Sequence, residues 1–231
     1  QGSNSGWCSR FSIIIVLILA LGACSADDPA YVERPVEELY NAGMDAMLAG
    51  SYADAARNFD EVERQHPYSV WATRAQLMVA FTYYQNNRYD DAILAADRFI
   101  QLHPGFDGVA YAYYLIAISY YEQIVDIGRD QRLTELALTS LEDIVRRFPD
   151  SEYATDARLK IDLARDHLAG KEMSIGRYYL KRTNYVAAVN RFRRVIERFQ
   201  TTSHVPEALH RLVEAYLALG VAHEAQAAAA V

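Results

Sequence analysis

Cysteine is almost missing from this 231-residue sequence: there are two, Cys8 and Cys24. Cys8 falls inside an apolar leader, so a processed chain keeps Cys24 alone. An intramolecular disulfide and a cysteine metal site are thereby excluded, and packing alone must hold the fold. Positive charge is also short, with 23 Lys+Arg against 30 Asp+Glu and a formal net charge of −7. Arg10 is the one charge in residues 1–23, so without them the value becomes −8. Nucleic-acid binding rests on neutralising phosphates, so nucleic acid is not an expected partner. Glycine-rich phosphate loops, His-Glu-x-x-His and Gly-x-Ser-x-Gly are all absent, and the six histidines are scattered. No catalytic site, metal site or cofactor is expected. No heptad run appears either, which excludes a long coiled coil.

One long hydrophobic run is present, from Phe11 to Leu21, preceded by Arg10 and followed by Gly22, Ala23 and Cys24. It is shorter than the roughly 20 residues of a permanent membrane span. A positive flank, a short apolar core and a small-residue cleavage site make a secretory signal peptide. Leu21-Gly22-Ala23-Cys24 resembles the bacterial lipobox. That resemblance implies cleavage before Cys24 and a covalent lipid on its thiol. Several acyl chains hold a protein stably at a membrane where one does not. Ser25, rather than Asp, follows the cysteine. By the same resemblance this implies the inner leaflet of the outer membrane. Residues 1–23 are therefore read as signal peptide and 24–35 as lipidated cysteine and tether. The sequence opens on Gln1 rather than Met and closes on an alanine-rich helix, and is read as a piece of a longer chain.

Self-comparison of the remainder gives a period. Tyr52, Ala55 and Pro67 recur 37 positions later as Tyr89, Ala92 and Pro104. Ala80, Tyr83 and Tyr84 recur at the same offset as Ala117, Tyr120 and Tyr121. Tyr185, Ala188 and Phe192 match Tyr52, Ala55 and Phe59 at a constant offset of 133. Each unit carries two stretches with apolar residues at 3- and 4-residue spacing, which predicts two amphipathic helices. Small residues, Gly43, Ala80, Ala117 and Gly176 in the first helix and Ala55, Ala92, Ala137 and Ala188 in the second, allow close antiparallel approach. Phe59, Phe99, Leu141 and Phe192 are expected to fill the groove toward the next unit. Prolines separate the units.

The pattern resembles the tetratricopeptide repeat, whose unit has about 34 residues. The expected fold is all-α, a right-handed superhelix (α-solenoid) of five tetratricopeptide-like helix pairs near 36–66, 70–103, 107–148, 151–199 and 204–231. An insertion is expected at Gln123–Arg132. An extra long helix, Ser151 to Ala169, is expected before the fourth pair, capped by Asp150 or Ser151. His66 and His103 share one repeat position and are read as turn residues.

In such a repeat the first helix of each pair lines the inner face. The inner positions are then Glu37, Tyr40, Met44, Met47; Arg74, Leu77, Phe81, Tyr84; and Tyr111, Tyr114, Ile118, Tyr121. Tyrosine and methionine suit a surface that accepts varied peptides. The candidate groove is Tyr40, Met44, Leu77, Phe81, Tyr84, Tyr111, Tyr114 and Tyr121, with about half of these rings expected to pack on neighbouring helices.

Lipobox, repeats and three segments narrow the resemblance. Asp91-Ala92-Ile93-Leu94-Ala95-Ala96-Asp97-Arg98-Phe99-Ile100-Gln101-Leu102-His103-Pro104, Arg147-Phe148-Pro149-Asp150-Ser151-Glu152-Tyr153-Ala154-Thr155-Asp156-Ala157 and Tyr185-Val186-Ala187-Ala188-Val189-Asn190-Arg191 resemble the BamD family, lipoproteins of the outer-membrane β-barrel assembly (Bam) complex. The resemblance implies a non-enzymatic scaffold and receptor. Residues 36–149, repeats 1–3, would recognise unfolded outer-membrane protein C-terminal segments ending in an aromatic residue. Residues 150–231, repeats 4–5, would dock the periplasmic POTRA domain of BamA. Arg191 stands where the family has an arginine that pairs with an acidic residue of BamA, and Arg182 and Arg194 share its basic unit. Other Bam lipoproteins are implied partners. The alternative reading is another periplasmic tetratricopeptide lipoprotein that scaffolds envelope division or peptidoglycan synthesis.

Overall fold

The computed structural model describes residues 32–230. The signal peptide, Cys24 and most of the tether lie outside the described residues. The chain divides at Arg34, and the unit from Pro35 onward holds every described helix.

Ten helices follow in order: α1 Val36–Leu48, α2 Tyr52–Gln65, α3 Val70–Gln85, α4 Tyr89–Leu102, α5 Val109–Glu122, α6 Arg132–Arg147, α7 Glu152–Lys181, α8 Tyr185–Arg198, α9 Val205–Ala218 and α10 Ala222–Ala229. No strand occurs among the described residues. None of the described helices is long and apolar enough to cross a membrane. The helices form five pairs at the expected places.

Local chemistry sets the boundaries. Ser69 Oγ accepts from the Ala72 amide at 3.0 Å and Ser151 Oγ from the Ala154 amide at 3.2 Å, so both serines cap their helices. The short turn inside the first, second, fourth and fifth pairs uses one left-handed residue, whereas the third pair is joined by the longer 123–131 segment. Gly50 (φ 74°), Asn87 (φ 57°), Thr183 (φ 57°) and Gly220 (φ 76°) take that role, at positions related by the repeat offsets. The second helices end on His66, His103, Phe148 and Phe199, all near φ −130°. His103 Nε2 also lies 2.6 Å from Gln76 Oε1. The two histidines thus serve helix ends, as the sequence implies.

Each helix packs on the next along the chain. The core is a string of four clusters rather than one centre. The first joins α1, α2 and α3, with Leu39, Phe59 and Val62 fully buried; the second joins α3, α4 and α5 around Phe99 and Leu115. The third joins α5, α6 and α7 around Leu141 and Ile144, and the fourth joins α7, α8 and α9 around Met173 and Phe192. Every cluster is a pair plus the first helix of the next pair, the nearest-neighbour packing of a solenoid.

Odd-numbered helices α1, α3, α5 and α7 also touch one another in succession, and the even-numbered ones have no comparable contacts. The odd layer is the tighter, inner one. It therefore forms the concave side of the stack.

Two packing expectations change, one for rings inside a pair and one for Ile118, while Phe99 packs toward the next unit. The ring of Phe59 lies against Gly43 of its own pair, and that of Phe192 against Gly176. A Cβ on either glycine would stand 2.6 or 2.5 Å from a ring carbon, so these rings fill the pair itself rather than only the groove beyond it. Phe99 is the repeat partner of Val62, not of Phe59; Ala96 takes the Phe59 position in the second unit. Ile118 is buried among α3, α4 and α5 and does not line the inner face.

The extra helix is present as the first half of one continuous 30-residue helix, α7, whose second half pairs with α8. The insertion before it, residues 123–131, is gripped by that helix. Gln131 accepts from Thr134 Oγ1 at 3.0 Å and stands 2.9 Å from His167 Nδ1. Lys171 donates to the carbonyls of Gly128 and Arg129 at 3.0 and 3.1 Å.

Candidate functional site

All eight groove residues read from the sequence are half-buried. Each packs one side into the helix layer and leaves another to solvent. They fall into two groups. Tyr40 and Met44 pack on the first cluster, with Tyr40 4.8 Å from the Trp71 ring and 5.4 Å from that of Phe59. Leu77, Phe81, Tyr84, Tyr111 and Tyr114 pack on the second, and Tyr121 on the third beside Tyr114.

The second group is a continuous aromatic strip. Phe81 is 6.2 Å from Tyr111, which stacks 6.5 Å from Tyr114. Tyr153, at the start of α7, closes it at 5.4 Å from Tyr111 and 5.1 Å from Tyr114. Such pairs contribute about 0.5–1.5 kcal/mol each beyond the area they bury. Rings packed on one another in this way have little side-chain freedom left to lose.

The strip has one polar anchor. Tyr114 donates to Asp156 Oδ2 at 2.6 Å, and Lys160 donates to the same carboxylate at 2.9 Å while lying 5.5 Å from the Tyr121 ring centre. Burial pushes the Asp156 carboxyl up, but hydrogen bonds from Lys160 and Tyr114 outweigh it and hold it below its ordinary value. Burial drives the Tyr111 and Tyr114 phenols well above the usual range, helped by neighbouring rings and, for Tyr114, by Asp156. These phenols are neutral donors throughout the physiological range.

Trp71, Tyr153, Asp156 and Lys160 are absent from the groove read from the sequence. The available signal was Tyr153, Asp156 and Lys160 at spacings that place them on one helical face.

At the other end, Arg191 and Arg194 meet on one carboxylate. Both donate to Glu172 on α7, at 3.0 and 2.9 Å. The Glu172 side chain is only 13% exposed, so two guanidiniums share one desolvated carboxylate and a positive charge is left over. Arg198 lies beside them, and Arg193 pairs with Glu197. Arg182 does not join them. It caps α7 and lies over the Tyr178 ring at 4.9 Å.

No group of three or more His, Cys, Asp or Glu that could hold a metal occurs among the described residues. A stacked-helix body with an aromatic inner strip and a separate basic face defines a helical-repeat scaffold for binding other polypeptides.

The family model YfiO, described as outer membrane lipoprotein, matches residues 32–231. "Outer membrane protein assembly factor BamD" of Caulobacter vibrioides is 54% identical over 217 residues, covering 93% of this chain and 71% of that protein. The protein of the same name from Rickettsia prowazekii is 45% identical, covering 93% of this chain and 86% of its own length. A solved TPR protein of Thermus thermophilus is 20% identical at a TM-score of 0.43, over 85% of this chain and 89% of that one. The chain belongs to the BamD family of outer-membrane protein assembly factors, which are interaction proteins and not enzymes.

Proposed function

We propose that this chain is an outer-membrane-tethered periplasmic receptor and scaffold for outer-membrane protein assembly. The observation that carries this reading is 54% identity to a BamD assembly factor along nearly the whole chain. In this reading a lipid on Cys24 holds the protein at the inner leaflet of the outer membrane. An unfolded β-barrel precursor lays its C-terminal segment on the concave face, from Tyr40 and Met44 across Leu77, Phe81 and Tyr84 to Tyr111, Tyr114 and Tyr121. The half-buried rings support this, because each keeps a fixed edge toward solvent. An unpaired strand is a template for aggregation, so holding it protects it.

The unit-four face docks the POTRA domain of BamA through an acidic side chain. Arg191 and Arg194 support this, since Glu172 neutralises only one of them and guanidinium offers five donors. Arg182 would contact the same partner from the adjoining turn, and other Bam lipoproteins complete the complex. No bond is broken; the work is recognition and placement.

A photo-crosslinking residue placed separately at Phe81, Tyr114 and Asn190 tests this in intact envelopes. The first two sites are expected to trap barrel precursors, and Asn190, next to Arg191, a POTRA-bearing barrel protein. Folded variants that trap no precursor at either groove site would falsify the groove assignment. Trapping of cell-division or peptidoglycan-synthesis proteins at Asn190 would favour the alternative scaffold role.

A further inference from the structure

The even-numbered helices pack less closely on one another than the odd-numbered ones, so the outer face of the stack opens into clefts. One of them lies between α2 and α4 with α3 beneath, and has a volume of about 710 Å³. It lies on the side of the molecule away from the tyrosine strip. Val79 and Phe99 are its buried apolar floor, and Ala95 leaves room above them. Leu94 stands at the rim, 69% exposed.

The charges around this floor are unevenly matched. Glu63, on α2, is bridged across the cleft by Arg98 of α4 at 2.6 Å. Asp91 is held by Arg88 at 2.7 Å, and Arg88 also covers the Tyr83 ring at 4.7 Å. Arg64 pairs with Glu61. Asp60, one turn from Glu63, lines the cleft with its outer edge exposed to solvent, and Arg98 acts on it only at a distance while bonding Glu63. Partial desolvation against the cleft wall, and then Glu63, push its carboxyl upward, and Arg98 offsets only part of this. An incoming cation would relieve both effects. The site thus offers an unmatched anion above an apolar floor, which fits a long aliphatic stem ending in positive charge.

We propose that this cleft binds a basic side chain carried by an apolar-flanked segment of a partner polypeptide, its head group on Asp60 and its methylene stem along Leu94 and Ala95. Arginine fits best, because its planar fork can bond a carboxylate bidentately while its stem stays on the floor. This surface is separate from the groove and from the unit-four arginines, so a partner here and a precursor in the groove need not compete.

The test uses the full chain in detergent, with methyl-labelled leucine and alanine followed by NMR. The probe is the capped tripeptide acetyl-Leu-Arg-Leu-amide. Its control carries citrulline, which keeps the shape and removes the charge. Saturable shifts at Leu94 and Ala95 are expected. Citrulline, or Asp60→Asn, should weaken binding about tenfold, the loss of one charged hydrogen-bonded pair. Asp97→Asn, an exposed acid outside the cleft, should change nothing. Asp60 makes no contact that folding needs, so its variant should keep the native circular dichroism. Equal affinity for citrulline, or an Asp60→Asn chain that binds as before, overturns the proposal. Ethanolamine or spermidine binding as tightly as the peptide overturns the polypeptide assignment in favour of a lipid amine or a polyamine.

Discussion

Gly176→Ala puts the packing argument at direct risk. Alanine in place of glycine in a helix interior normally stabilises by about 1 kcal/mol. Here the new Cβ would lie 2.5 Å from Cε1 of Phe192 and 2.9 Å from Cδ1 and Cζ. Phe192 is fully buried and packed with Val189, Val195 and Leu212, so its ring has nowhere to go. Overpacking costs about 1–3 kcal/mol, and three clashing ring atoms place this site at the upper end. The two effects leave a net loss of about 1–2 kcal/mol. In a domain of this size that lowers the melting temperature by roughly 2–8 °C. Far-UV circular dichroism of the full chain reads it. A second substitution checks the cause. Phe192→Leu alone should cost about 1–2 kcal/mol through the space it vacates. Combined with Gly176→Ala it should cost less than the sum by about 1 kcal/mol, because the methyl then fills that space. A higher melting temperature for Gly176→Ala, as helix propensity alone would give, refutes the reasoning.

Three further outcomes follow from other sites. Thr183 is β-branched yet left-handed, a conformation that costs about 1–2 kcal/mol, so Thr183→Gly should stabilise by about 1 kcal/mol in a denaturant titration. Ser119 is fully buried and its hydroxyl has no partner among the described residues, whereas its repeat counterpart Thr82 donates to the Met78 carbonyl at 2.7 Å. Ser119→Ala should therefore be neutral or stabilising by about 1 kcal/mol, and Thr82→Ala should destabilise. Asp156 titrates below its ordinary value in the folded chain, so its contribution is present above the unfolded value, near 4, and is lost as pH falls through the folded one. Melting curves of Asp156→Asn and the parent should differ at neutral pH and converge in strong acid; a gap that persists there contradicts the assignment.

The sequence made the helix pairs legible because one physical requirement recurs. Small residues must face each other within a pair, and a left-handed residue closes each of the four short turns. Gly50 announced that turn openly; Asn87 and Thr183 serve it with side chains that do not announce it. The unity of α7 was harder to read. Gly170 looks like a break between an added helix and the fourth pair, but it sits inside the helix. A Cβ there would stand 3.2 Å from His204 and 3.8 Å from Ile127, so the glycine admits close neighbours instead of ending the helix. The same misreading hid Tyr153, Asp156 and Lys160 from the groove, since they fell in a segment set apart from the repeats. Glu172 was equally unreadable as the partner of two arginines, because only packing brings α7 and α8 together there.

A helix without a break has a mechanical meaning. Asp156 and Glu172 lie 16 residues apart on α7, about 24 Å along one unbroken helix. No loop stands between them to absorb a rotation. A tilt imposed at the ring-bearing end must reappear beneath the arginines, and the reverse holds equally. The molecule carries a built-in lever whose two arms move as one body.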